Sequence, residues 1–256
     1  MPVRLDYSAL KIDVEHVMER ISSFVASTVR NRKARGVATV CRTETSTFAL
    51  TSALVQALGA ERVLCLSDAD DSGFPTIMRL RDRLGFSLEV VEAGKLVEAF
   101  ETSTMYSWSE DREWQRVLRR RLLALATQSF ADRSNLLIAV DVNRTDFLIG
   151  AFDQRVASSC DLLPLVGLFK TQVDQLASFL GADYVGLSSS QTDEATSRAG
   201  LGYPTLDLVL WGVVDHGMDR GKVASRLSIP TTAVNHVYHL HLLSEFSRNF
   251  PHFPVL

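Results

Sequence analysis

A chain of 256 residues with 46% apolar side chains can bury one substantial core, and its length fits a single α/β domain spanning residues 1–256. A formal charge of −3 gives no basic footprint for nucleic acid or an anionic membrane, and no apolar run reaches bilayer length. Cys41, Cys65 and Cys160 stand far apart without a C-x-x-C pair, so neither a disulfide framework nor a thiolate zinc site is indicated, and the N-terminus lacks the apolar core of a signal peptide; a cytoplasmic protein is expected.

In chain order, Val14, Val17, Ile21, Phe24, Val25 and Thr28 repeat at helical spacing and predict an amphipathic helix ending near Arg35 and Gly36. Its apolar face suits packing within the subunit or against a second copy. Residues 36–41 read as a first buried strand that runs into Arg42-Thr43-Glu44-Thr45-Ser46 and then a helix through Leu58, stopped by Gly59. A strand over 62–67, a helix from about Gly73 to Leu84 and a strand over 87–92 follow. Strands alternating with helices at these lengths predict βαβ units in a doubly wound, mostly parallel sheet of about five strands with helices on both faces. Residues 94–110 read as irregular or as a short helix. The long helix over 111–130 carries Arg112, Arg116, Arg119, Arg120 and Arg121, whose plain reading is a solvated face.

The densest chemistry lies between Asn143 and Glu194. Asn143 follows the apolar run of residues 136–140 and can cap a helix whose third position is Asp146. Residues 161–170 then cross without a period into a helix with Val173, Leu176, Ala177 and Leu180 on one face, closing at Gly181. Lys170 falls in its first turn, where the helix dipole disfavours a cation unless an anion is close. The C-terminal third is helical. Residues 222–238 spell a helix-turn-helix, but without the basic surface that dominates DNA affinity. His236, His239 and His241 do not share one helix face, and no Cys or carboxylate completes a metal set.

These residues resemble the ammonia-dependent NAD synthetase family. The shared order is Asn143-Arg144-Thr145-Asp146 for N-R/K-T/S-E, the run from Asp161 to Lys170 and on to Val173 for the P-L/I-G-D-L-Y/F-K-T-Q-V element, Gln191-Thr192-Asp193-Glu194 for Q-S/T-D-E, then Tyr203, Asp207 and Trp211-Gly212. The resemblance implies ATP and magnesium, carboxylate adenylation followed by ammonia attack, and a homodimer whose interface includes the first long helix. It places Asp146 and Lys170 in the catalytic group. Cys41, Arg42, Thr43, Glu44, Thr45 and Ser46 stand at the family's Ser-Gly-Gly-x-Asp-Ser loop, where backbone amides wrap the pyrophosphate. Asp141 replaces a nucleotide-contacting threonine. Arg116 matches the first arginine of a substrate-contacting R-x-R pattern, with Leu118 at the second. Gln154 replaces a lysine that meets deamido-NAD, Asp161 is retained, and Phe246-Ser247 replaces a His-Lys pair.

Two lost glycines place β-carbons where phosphate approaches the backbone, and the loop Asp has become Thr45. Function belongs to the site rather than the fold. The expectation from these departures is a diverged ligase that takes an anionic or nucleotide-like small molecule other than deamido-NAD. The alternative is a catalytically silent homologue acting as an assembly partner. A third reading makes Cys41 a nucleophile at a helix start.

Overall fold

The computed structural model describes residues 5–104, 111–187 and 193–249. Four parallel strands, β1 Gly36–Val40, β2 Val63–Asp68, β3 Ser87–Val91 and β4 Leu136–Ile138, form one sheet in the order β3-β2-β1-β4. Val37 lies opposite Val63 and Gly36 opposite Leu136, so β1 is central. Gly36 is required there, because a β-carbon would sit 2.1 Å from the Arg62 carbonyl oxygen. The expected fifth strand is reduced to one parallel bridge between Ala139 and Leu162. Leu162 donates to the Ile138 carbonyl and accepts from the Val140 amide. Pro164, two residues on, has no amide to continue the ladder.

On one face of the sheet lie α1 Val14–Asn31, α2 Thr45–Leu58 and α8 Lys170–Leu180; on the other lies α5 Arg112–Ser134, backed by α4 Ala93–Thr104. The α4 helix takes the helical of the two expectations for the stretch after Ala93, and 105–110 fall outside the described residues. α3 Phe74–Leu84 starts after Gly73 and stops at Gly85 in the left-handed conformation, as its sequence predicts. α2 is buried almost all round, and most of its hydroxyls find acceptors: Thr51 Oγ1 donates to the Thr47 carbonyl at 2.8 Å, while Thr45 and Thr47 donate to the carboxylates of Asp174 and Asp141.

The apolar face of α1 is spent inside the subunit. Met18, Ile21, Val25 and Val29 join Phe48, Leu50, Leu54 and Leu176 in the main core. Only Phe24 of its large apolar side chains remains exposed.

Helices α6 Arg144–Ile149, α7 Gln154–Ala157, α9 Glu194–Ala199, α10 Tyr203–Leu210, α11 Arg220–Leu227, α12 Thr231–Leu243 and α13 Glu245–Arg248 complete the chain, with a π-helical turn after α10. Leu148, Phe169, Leu206, Val209, Val223, Val234 and Val237 form a second core under them. His236 Nε2 meets the Arg198 carbonyl at 2.8 Å and His241 Nδ1 the Leu148 carbonyl at 3.0 Å, so these histidines tie α12 to different neighbours. No helix among the described residues is long and apolar enough to cross a membrane.

Val25 has no exposed surface. Val25→Asp therefore buries an unpaired carboxylate and is expected to destabilise the fold by more than about 3 kcal/mol. Circular dichroism during urea titration checks this; a fully folded variant would place the α1 face at a surface instead.

Candidate functional site

Parallel strands deliver their carboxyl ends to one edge of the sheet, where ligands of open α/β folds bind. Here that edge opens on a cavity of about 510 Å³. The β1–α2 loop contributes Cys41, Arg42, Glu44 and Ser46; the end of β2 contributes Asp68 and Asp71. Arg116, Arg119 and Arg120 of α5 form one wall, and Asp141, Asp146, Asp193 and Glu194 form another part of the lining.

The loop is organised by Arg42. Its Nη2 lies 3.1 and 3.2 Å from the two Asp141 carboxylate oxygens and 3.7 Å from Glu44. Thr47 Oγ1 also donates to Asp141, at 2.6 Å. The Glu44 and Asp141 charges raise the guanidinium further above its ordinary pKa. For Asp141, burial acts to raise the pKa, but the Arg42 charge and the Thr47 hydrogen bond outweigh it, and the net shift is downward.

Thr43 does not stand in the cavity. It packs on Gly73, where an added β-carbon would meet its Cγ2 at 2.1 Å. Neither Arg42 nor Thr43 takes a positive φ. The loop's path needs no glycine, and only one of the two replacements adds a side chain to the lining. Cys41 is 1% exposed, with its thiol against Cys65, whose pKa is raised first by burial and then by that contact. No histidine among the described residues lines the cavity to activate it.

The expected helix cap at Asn143 is present: its Oδ1 accepts the Asp146 amide at 3.1 Å and its Nδ2 donates to Asp146 Oδ2 at 2.6 Å. Burial, and then the charges of Asp193, Asp141 and Glu44, raise the Asp146 pKa well above the carboxylate range. Tyr203 donates its hydroxyl to Asp193. A divalent cation would relieve this crowding of carboxylates. Magnesium is ordinarily held by one or two carboxylates together with substrate phosphates, so Asp146 fits that role although no set of three potential ligands converges among the described residues.

Lys170 is 5% exposed and is not on the cavity wall. Its ammonium donates to Thr45 Oγ1 at 2.9 Å and to Asp174, one turn on, and lies 5.3 Å from the Tyr203 ring centroid. Asp174 is thus the anion that its place in the first turn of α8 demands. The backbone there is held by a second carboxylate. Thr145 Oγ1 accepts the Lys170 amide at 2.8 Å and donates to Asp207 Oδ1 at 2.6 Å, and Asp207 Oδ2 accepts the Thr171 amide at 2.8 Å.

The three residues expected to bind substrate are dispersed. Arg116 lines the cavity. Gln154 is not part of the lining, and its Nε2 is buried without a partner among the described residues. Asp161 accepts the Ile138 amide at 2.9 Å and secures the end of β4. Gln191 and Thr192 lie outside the described residues. Three of the arginines read as solvated are engaged instead. Arg119 joins Asp68 and Asp70, and Arg120 and Arg121 hold Asp153, which lines the cavity beside Gln154. The position of Asp68 at a strand's carboxyl end was the signal for it; nothing in the spacing pointed to Asp153.

Residues 17–251 match the family described as NAD synthase. This chain belongs to that family. It is 28% identical over 256 residues to an NH3-dependent NAD+ synthetase of Hyperthermus butylicus, covering 96% of this chain and 92% of the relative. It is 31% identical over 222 residues to one of Methanosarcina acetivorans, covering 81% and 86%. Among solved structures, an NMN synthetase from Francisella tularensis superposes with a TM-score of 0.78 at 16% identity, covering 96% of this chain and all of that one. An NH3-dependent NAD synthetase from Campylobacter jejuni gives 0.77 at 15% identity with the same coverage; likeness at these identities speaks for the fold. The relatives named NH3-dependent NAD+ synthetase overturn the expectation of a diverged or silent protein with another substrate. That expectation gave the loop glycines too much weight, since Thr43 turns out of the cavity.

Burial raises the Asp207 pKa from 3.8 to about 6, against the hydrogen bonds from Thr145 and Thr171. The folded protein holds this proton more tightly than the unfolded chain. Its contribution to stability is therefore complete below about pH 4 and is lost as pH rises through about 6, a difference of roughly 3 kcal/mol. Urea titrations between pH 4 and 8 are expected to show this decline as a component that Asp207→Asn removes; an unchanged pH profile in that variant would assign the slope elsewhere.

Proposed function

We propose that this protein is an NH3-dependent NAD+ synthetase that activates the carboxylate of deamido-NAD with ATP and magnesium and replaces the adenylate with ammonia. The observation that carries this reading is the cavity itself. At the carboxyl edge of the sheet it gathers a helix start, a cation and crowded carboxylates, in a chain aligned with named NH3-dependent NAD+ synthetases over nearly its whole length.

ATP supplies the leaving group that a carboxylate lacks, and magnesium neutralises its phosphates. The chain's residues divide the remaining work. The first turn of α2 has no side-chain cap, since Glu44 makes no capping hydrogen bond, so its amides can meet phosphate oxygens. Asp146, whose pKa is raised by burial and by the charges of Asp193, Asp141 and Glu44, gains as an anionic ligand when a cation enters. Lys170 is positioned by the Thr145–Asp207 contacts at the base of the loop, where exchanging Asp174 for phosphate would bring its charge to the reaction. Arg116 is the cavity-lining cation suited to the anionic parts of the dinucleotide. Asp161 acts on the site through backbone placement, since it accepts the Ile138 amide.

A coupled dehydrogenase assay with ATP, magnesium, ammonium and deamido-NAD tests the reading. Wild-type protein is expected to form NAD+, and Lys170→Ala to lower kcat about 100-fold or more, the usual effect of removing a donor to developing charge. Folded wild type without turnover sinks the proposal.

A homodimer is part of the same proposal. Phe24 on α1 and Leu125 and Phe130 on α5 expose apolar surface available to a second copy, as symmetric oligomers use. Sedimentation at micromolar concentration is expected to give a dimer, and a monomer would remove this part.

A further inference from the structure

We propose that Arg42 is the side chain that grips the nucleotide's polyphosphate, and that Asp141 is the internal anion it leaves when the nucleotide arrives. This rests on the ATP-dependent ligase reading, and it assigns a role to a position where the resembled family has no side chain.

Arg42 is placed for such an exchange. It lies in the β1–α2 loop on the cavity wall, and its side chain is 35% exposed, so it can turn without opening the core. A guanidinium forks onto carboxylate or phosphate with nearly the same planar geometry. Phosphate oxygens can therefore take over the contacts that Arg42 Nη2 now makes with both Asp141 oxygens, and engage the remaining guanidinium donors as well. Asp141 would not be orphaned by the change, because Thr47 Oγ1 donates to it independently at 2.6 Å. Glu44, 3.7 Å away and more than half exposed, can stay in solvent.

The neighbouring cations other than Arg116 hold anions of their own. Lys170 is buried between Thr45 and Asp174. Arg119 bridges Asp68 and Asp70, while Arg120 and Arg121 close on Asp153. Arg116 belongs to α5, across from the loop. Thr43 packs on Gly73 and leaves the approach open.

Calorimetry with ATP and magnesium, and with tripolyphosphate, tests the exchange in wild type, Asp141→Asn and the double variant Arg42→Met with Asp141→Asn. The double variant removes both charges together and so leaves no unpaired carboxylate. Asp141→Asn is expected to bind ATP at least as tightly as wild type, because Arg42 starts unlatched. The double variant is expected to bind both ligands at least tenfold more weakly than Asp141→Asn. Affinity within twofold of Asp141→Asn would make Arg42 a structural latch only and overturn the proposal. Should the double variant melt too low to measure, Arg42→Lys decides. It keeps the charge but loses the fork, and unchanged affinity overturns the proposal while a threefold or greater loss supports it. Failure of the ligase reading is distinguishable: Arg42-dependent tripolyphosphate binding without NAD+ formation leaves the grip standing and removes the ligase. NAD+ formation with undiminished ATP binding in the double variant removes the grip alone. A wild type that binds neither ligand overturns both.

Discussion

The buried carboxylate of Asp207 fixes the relation of three helices. It comes from α10, receives the Thr145 hydroxyl of α6 and the Thr171 amide of α8, and has no exposed surface. Thr145 in turn receives the Lys170 amide. The starts of α6 and α8 are thereby set against each other, and with them Asn143, Asp146 and Lys170. Backbone amides at helix starts need acceptors, and a carboxylate meets that need more strongly than a neutral group. Burial works against the same charge, so the contact that positions the site is also sensitive to protonation.

The cavity shows how environment divides like groups. Asp141 and Asp146 both lie deep in it, yet their pKa values move in opposite directions. Asp141 has Arg42 and Thr47 as donors, which overcome its desolvation. Among the described residues Asp146 has only Asn143 as a side-chain hydrogen-bond donor, and it faces Asp193, Asp141 and Glu44. A carboxylate so crowded is poorly stable as an anion until positive charge is added. The cavity is thus arranged with one carboxylate already paired and another that gains most from an incoming cation.

Much of the fold was legible. The α1 periodicity, the β1–α2 and β2–α3 alternation, and the stops at Gly59, Gly85 and Gly181 follow from hydrophobic spacing and from backbone positions that favour glycine. Strand count was less legible because pairing is non-local: Leu162 reaches the sheet, but Pro164 ends the ladder after one bridge. At the site, Asn143 could be read as a cap from its neighbours alone, whereas Asp161 could not be assigned without knowing that the Ile138 amide faces it. The direction of a side chain in a loop is equally invisible in sequence. Thr43 and Arg42 both replace glycines of the resembled motif, yet one packs against Gly73 and the other enters the cavity. The two replacements therefore differ in what they do to the cavity.

A similar redistribution affects the loop's lost carboxylate. Thr45 stands where the resembled loop carries Asp, which by position alone removes negative charge from the start of α2. In three dimensions Asp174 brings one back. Its Oδ1 accepts the Thr45 hydroxyl at 2.6 Å and also the Lys170 ammonium. The carboxylate now comes from the first turns of α8 rather than from α2, and Thr45 relays it by hydrogen bond. This arrangement also answers a local difficulty, since a lysine in the first turn of a helix opposes the dipole unless an anion lies close by. Lys170 can be kept with Asp174 one turn on, and Thr45 is then more than a truncated ligand: its hydroxyl accepts from Lys170 and donates to Asp174, linking the two helices at the root of the cavity. Motif positions can change while local charge is retained, provided that the neighbouring helix supplies the group and its geometry lets both side chains meet.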